Sequence, residues 1–269
     1  MSMNTEEFLR QGNLQAARQS AVAEVKASPG DGSKRFVLFL IFCFLGEWDK
    51  ARKQLEFIKV HTPDQAANVL VCENILQAEI SRHLVWDGSD LADFLPEKPG
   101  YAAIYARVKA CYGEDSAQAR ILIEDIWETL PSVNALIDGK VFSRFQETDS
   151  VLSFCLEAFV YEKYVWIPFT EIRELTIAKP RKLIDLLWVS AQLTTLAGLT
   201  LNCYLPVLYP NSFKHQDDRV KLGRMTDWID LGNGLAQGVG QHVYAGAEDD
   251  ISLLSIEEMT LKTESITNE

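Results

Sequence analysis

The chain has 269 residues, 47% of them hydrophobic and 24% charged, with 15 glycines and 9 prolines; this is a globular composition with a substantial core and room for two domains. Its 26 basic side chains against 38 acidic ones leave a net charge of -12, and polyanion binding needs clustered Lys and Arg, so nucleic acid and anionic membrane surfaces are poor partners. The deficit is shared, 14 minus 19 over residues 1–135 and 12 minus 19 over 136–269, so neither half is a basic module.

Taken in chain order, the amino terminus MSMNTEEFLRQGN is polar and acidic, unlike a secretory signal. Two segments then repeat. GNLQAARQSAVAEVKASPGD from Gly12 and GEWDKARKQLEFIKVHTPDQ from Gly46 align at a spacing of 34, matching Gly12 with Gly46, Leu14 with Trp48, Ala17 with Ala51, Arg18 with Arg52 and Pro29 with Pro63. That is the tetratricopeptide period, in which the glycine ends one helix, the small alanine admits close helix packing and the proline stops the second helix. Between the two segments, Phe36 to Leu45 is ten unbroken apolar residues. As a helix this run spans roughly 15 Å, half a bilayer core, and it reads as a buried helix of the second repeat.

Downstream, Ala67, Val71, Ile75 and Ala78 recur at helical spacing, as do Ala119, Ile123, Ile126, Trp127 and Leu130. Asp87 to Gly100 is a turn-rich connection, and Tyr101 to Gly113 reads as another helix. The pattern changes near Pro131. FCLEAFV, YVWIPF, LWVSAQLTTL, LTLNCYLPVLY, GVGQHVYAG and ISLLSI read as strands, separated by turn signals at Tyr161–Lys163, Ala197-Gly198, Pro210-Asn211 and Gly232–Gly234. Helical interruptions are expected near TEIREL, RKLIDL and QDDRVKLG, and the tail KTESITNE is expected to fray. The expected architecture is multidomain α+β: a tetratricopeptide-like α/α superhelix over 1–135, then an α+β domain with a mainly antiparallel sheet over 136–269.

No motif carries catalytic chemistry. Cys43, Cys72, Cys111, Cys155 and Cys203 lie far apart without a CxxC pair and read as reduced, buried thiols of a cytoplasmic protein. His61, His83, His215 and His242 lack metal-ligand spacing, so no metal or cofactor is expected. The run from Gly232 to Gly246 lacks the third glycine of a dinucleotide fingerprint and reads as a hairpin or bulge with close backbone approach. Helical repeats stack into grooves that suit an amphipathic helix, and Trp48, Trp86, Trp166 and Phe169 are candidate apolar anchors.

One set of landmarks resembles a known family. Leu156 to Leu175 (LEAFVYEKYVWIPFTEIREL), LLWV at Leu186, VLYP at Val207, RMTDW at Arg224, GVGQ at Gly238 and LLSIEEM at Leu253 are similar to the ImpE family, also called SciE-type or TagJ proteins, accessory components of bacterial type VI secretion systems. PGD followed by an apolar helix and GEWDKA extends the resemblance over nearly the whole chain. The family usually has an Asn-Gly-type turn where this chain has Tyr161-Glu162-Lys163, and Arg after GxGQ where this chain has His242. The resemblance implies a non-enzymatic, cytoplasmic adaptor that binds the small contractile-sheath subunit, TssB, through its amino-terminal helix, with an indirect link to the ClpV unfoldase. It adds Gly240 and Gln241 to the candidate contact residues. The rival expectation is an enzyme or small-ligand protein with a site between the domains near residues 232–242.

Overall fold

The protein is described by a computed structural model over residues 4–97, 100, 105 and 115–263. A helical region is followed by a mainly antiparallel sheet, so the fold is α+β. The helices are α1 (Thr5–Arg10), α2 (Leu14–Ala27), α3 (Gly32–Phe44), α4 (Trp48–His61) and α5 (Ala66–Asp87). Local chemistry sets their ends. Asn4, Asn13 and Asp31 accept backbone N–H bonds as N-caps of α1, α2 and α3. Gly12 and Gly46 hold φ of +74° and +67°, which reverses the chain between helices at a conformation L side chains resist. The landmarks spaced by 34 fall at equivalent places: Leu14 and Trp48 open α2 and α4, and Ala17 and Ala51 are fully buried.

The apolar run forms α3, and every residue from Leu38 to Phe44 is buried. A helix apolar all round must be covered all round. Neighbours α2 and α4 cover it on two sides, and Phe39 reaches the sheet, its ring 6.4 Å from that of Trp188. Among the described residues no helix is long and apolar enough to cross a membrane.

The main sheet uses β1 (Asp93–Phe94), β2 (Val133–Ile137), β3 (Lys140–Phe142), β5 (Cys155–Val160), β6 (Lys163–Pro168), β7 (Ile172–Ile177), β8 (Trp188–Thr195), β9 (Thr200–Pro206) and β14 (Glu258–Thr263). Their spatial order is β1-β6-β5-β9-β8-β7-β14-β2-β3, antiparallel except for the β1–β6 pair. A hairpin of β10 (Thr226–Gly232) and β11 (Leu235–Gly240) and a small sheet of β4 (Gln146–Glu147), β12 (Val243–Ala245) and β13 (Asp250–Ser252) complete the strands. Helix α6 (Ser116–Thr129) contacts β10, and the short α7 (Asp218–Lys221) precedes it. Helix α5 packs on β5 and β6, so one hydrophobic core runs from the helices into the sheet.

The six expected strand segments carry strands, although ISLLSI contributes only β13 before a 3-10 turn at Leu253–Ser255. TEIREL differs. It holds the end of a 3-10 turn (Phe169–Glu171) and then β7, whose pairing with β8 shifts between Ile172 and Glu174. That bulge turns Arg173 and Glu174 outward together and buries Ile172 and Leu175, a three-residue spacing that imitates a helix. RKLIDL and QDDRVKLG do contain helical turns, at Leu183–Leu186 and in α7. The expected helix at 101–113 lies outside the described residues save Tyr105, as does Cys111, and so does the tail beyond Thr263.

Candidate functional site

The densest concentration of chemistry lies where α5 meets the sheet. Along α5, the buried stripe Val69, Cys72, Ile75 and Leu76 continues into Glu79 and Arg82, so a helical period that buries carbon also carries two charges inward. Opposite them, Glu157 sits on β5 within a buried stretch from Cys155 to Phe159. Arg82 makes a two-pronged ion pair with Glu157, Nε to Oε1 at 2.9 Å and Nη2 to Oε2 at 2.6 Å, and also donates to Glu79 Oε1 at 3.3 Å and to the Leu208 carbonyl at 2.8 Å. Glu79 is anchored from the sheet by Trp188 Nε1 at 2.8 Å. Tyr164 donates to Glu157, and Trp86 Nε1 reaches both Glu157 Oε1 (3.3 Å) and the Tyr164 hydroxyl (3.1 Å).

His242 extends this network on its other side. Its Nδ1 lies 2.8 Å from Glu147 Oε2 and its Nε2 3.2 Å from Glu157 Oε2. The second contact is ionic, because the Nε2 proton has no aligned acceptor among the described residues. The ring also lies 4.1 Å from that of Tyr209, whose hydroxyl donates to Glu147.

Burial and partners pull the ionisations in known directions. Burial alone would discharge His242, but Glu147 and Glu157 outweigh it and raise the imidazole to about 9. Burial would likewise neutralise Glu157, but Arg82 and His242 hold it well below the usual carboxylate range. Burial opposes the charge on Arg82 too, and Glu157 and Glu79 overcome it and raise the guanidinium. Position 242 thus carries a positive charge at neutral pH, as an arginine would. A protonated, enclosed imidazole is no general base. A cavity of about 30 Å³ borders Arg82, Glu79 and Tyr209, room for about one water.

The six residues anticipated as contacts separate into distinct settings. Trp48 is half-buried, edge-on to His83 (5.6 Å) and Phe213 (5.9 Å). Half-buried Trp86 and fully buried Trp166 belong to the α5–sheet junction, their rings 6.1 Å apart, and Trp166 donates to Tyr164. Phe169 is buried between Phe145 (5.2 Å) and Tyr244 (6.1 Å) and lines a cleft of about 260 Å³ beside α6. Gly240, at φ +96°, donates to Ser212 Oγ at 2.8 Å, and a Cβ there would meet the Met225 carbonyl at 2.0 Å. Gln241 bridges the Gly223 carbonyl (2.8 Å) and the Leu254 N–H (3.2 Å).

A Cβ on Gly238 would meet the Tyr209 ring at 2.4 Å. Gly238 and Gly240 therefore let the Tyr209 ring and the Met225 backbone pack closely on this run. Among the described residues no His, Cys, Asp and Glu group could hold a metal ion. The described cysteines, Cys43, Cys72, Cys155 and Cys203, are free and buried.

Residues 139–260 match the family model described as ImpE protein. The type VI secretion system accessory component TagJ of Pseudomonas aeruginosa (strain PAO1) is 27% identical over 260 residues, spanning 96% of this chain and 91% of that protein. Over residues 139–260 the chain resembles the ImpE family. A crystal structure of protein VPA1032 from Vibrio parahaemolyticus superposes with a TM-score of 0.88 at 22% identity, covering 97% of this chain and 98% of that one, a likeness of fold. Glu147, Glu157 and His242 lie inside the span matched to the ImpE model, and Arg82 lies outside it. The ion cluster therefore ties the span that matches the ImpE model to α5.

Proposed function

We propose that this chain is a non-enzymatic accessory protein of a type VI secretion system that binds the small contractile-sheath subunit through that subunit's amino-terminal helix. By holding that helix it modulates sheath assembly or the sheath's delivery to the ClpV unfoldase. The observation carrying the reading is the similarity to the TagJ accessory component along nearly the full length of both chains, helical region included.

The surface is compatible with helix capture. On α5, Leu70 (54% exposed) and Leu84 (42%) face outward on one side of the helix about four turns apart, with Val71 (41%) beside Leu70. Such a row offers apolar contacts to an amphipathic partner, and the half-buried Trp48 and Trp86 are the candidate anchors with surface to give. Trp166 and Phe169 support the wall from within, and Gly240 and Gln241 hold the packing of β11 on the loop at Gly223.

Calorimetric titration with a peptide of the cognate sheath subunit's amino-terminal helix, beside a scrambled control, tests this. Micromolar, sequence-dependent binding, about -8 kcal/mol, with little salt dependence is expected, and Leu70→Asp with Leu84→Asp should weaken it about tenfold or more. No binding to either the peptide or the intact subunit would remove the proposal.

A further inference from the structure

The cleft beside α6 is a seam in the packing. Ala119, Leu122, Ile123 and Ile126 of α6 form a small core with Leu235, separate from the main core that holds Phe145 and Phe169. Phe154 packs against both clusters, and between them a space of about 260 Å³ is left open. The space is open to solvent on one side and approaches the lower end of ligand pockets, about 300 Å³.

Its lining is chemically selective. Trp127, Leu130, Phe145, Phe154 and Phe169 supply apolar and aromatic walls, and none of the twelve lining residues is acidic in a chain with 38 acidic side chains. The charged member is Arg144, an exposed residue whose guanidinium makes no ion pair among the described residues. Its backbone holds φ +54°, with its N–H donated to Asn134 Oδ1 at 3.0 Å. That conformation favours Asn or Gly, so the backbone supplies no reason for an arginine. Thr170 lines the same cleft, and its buried Oγ1 has no hydrogen-bond partner among the described residues. The Trp127 indole is fixed by donation to Ser153 Oγ at 3.0 Å while the residue stays 39% exposed.

We infer that this cleft is a binding site for a small carboxylate carrying an aromatic or branched apolar group. The carboxylate pairs with Arg144, and the apolar body fills the space among Phe145, Phe154, Phe169 and Trp127. A free metabolite and the carboxyl-terminal residue of a polypeptide share this chemistry.

Titration of the full chain with 3-phenylpropionate, its neutral amide and the capped dipeptide acetyl-Ala-Phe, followed by calorimetry and by the Trp127 indole N–H resonance, tests the assignment. The acid should bind and shift the Trp127 signal, and the amide should bind about tenfold or more weakly, since a charge-assisted pair is lost. Arg144→Asn keeps a residue suited to the positive φ and should weaken the acid by a similar factor without affecting the amide. Tighter binding of the dipeptide than of phenylpropionate would assign the occupant to a chain terminus, and the reverse order to a free small molecule. Equal binding of acid and amide, indifference to Arg144→Asn, or no binding by any probe would overturn the site.

Discussion

The helical layer and the α5–sheet junction are two interiors built on opposite principles. The first is dry: α2, α3 and α4 meet through Leu14, Ala17, Ile41, Phe44, Ala51 and Leu55, with no charged group among the fully buried side chains. The second is ionic, with Arg82, Glu79, Glu157, Glu147 and His242 buried together and cross-linked by Trp86, Trp188, Tyr164 and Tyr209. Apolar packing is tolerant of register, whereas a paired arginine accepts few geometries. The contrast teaches that the helices are held to one another by volume, and to the sheet by the shared apolar core together with specific charges.

Substitutions sharpen the contrast. Arg82→Ala should cost most, about 3–5 kcal/mol in urea unfolding, because it strands Glu157 in the interior. Replacing both partners with apolar residues, Arg82→Met with Glu157→Leu, should cost clearly less than the single change. If the double variant is as unstable as the single one, stranded charge is not the cause. In the dry layer Leu55→Ala should cost about 2–5 kcal/mol, with no dependence on pH. At the helix ends, Asp31→Ala should cost about 1 kcal/mol by removing the bonds to the Ser33 and Lys34 N–H groups at the start of α3.

The junction should contribute a distinct part of the pH dependence, beside the buried thiols, which burial pushes up. His242 is raised to about 9, so its contribution is complete below the unfolded value near 6.5 and is lost as pH rises through about 9. Asp149, which burial pushes up to about 7 against three backbone N–H donors, acts in the same direction across neutrality. Glu157 is depressed, so its contribution holds above the ordinary carboxylate value and disappears in acid. Stability measured from pH 6 to pH 10 should fall toward the alkaline end in the wild type, and His242→Gln should flatten that fall. A fall unchanged by His242→Gln would assign it elsewhere.

Much of the fold was legible because its signals are local. Gly12 and Gly46 mark helix ends through a backbone conformation, and β5, β6, β8 and β9 appear as apolar runs between turns. TEIREL misled because the bulge at Ile172–Glu174 breaks the two-residue period of the strand. The junction was harder to see. Arg82 and Glu157 are 75 residues apart and meet only in three dimensions, although each carried a local sign: a charge on an apolar helix stripe and a carboxylate in an apolar strand. The aromatics Trp166 and Phe169 stood out by type, but aromatic side chains serve cores and surfaces alike, and here both are buried. The cleft at Arg144 depends on what α6 leaves unfilled, which no sequence spacing records.

Amide hydrogen exchange under rising urea, compared between the wild type and Arg82→Ala, tests most directly whether the ionic junction joins the helices and the main sheet into one body. It also reads whether 1–135 and 136–269 open as separate units. In the wild type, the most protected amides of α3 and of β5 and β8 should share one opening free energy and one urea dependence, and in Arg82→Ala the two sets should part. Separate openings already present in the wild type, or a common opening that survives Arg82→Ala unchanged, would contradict the account.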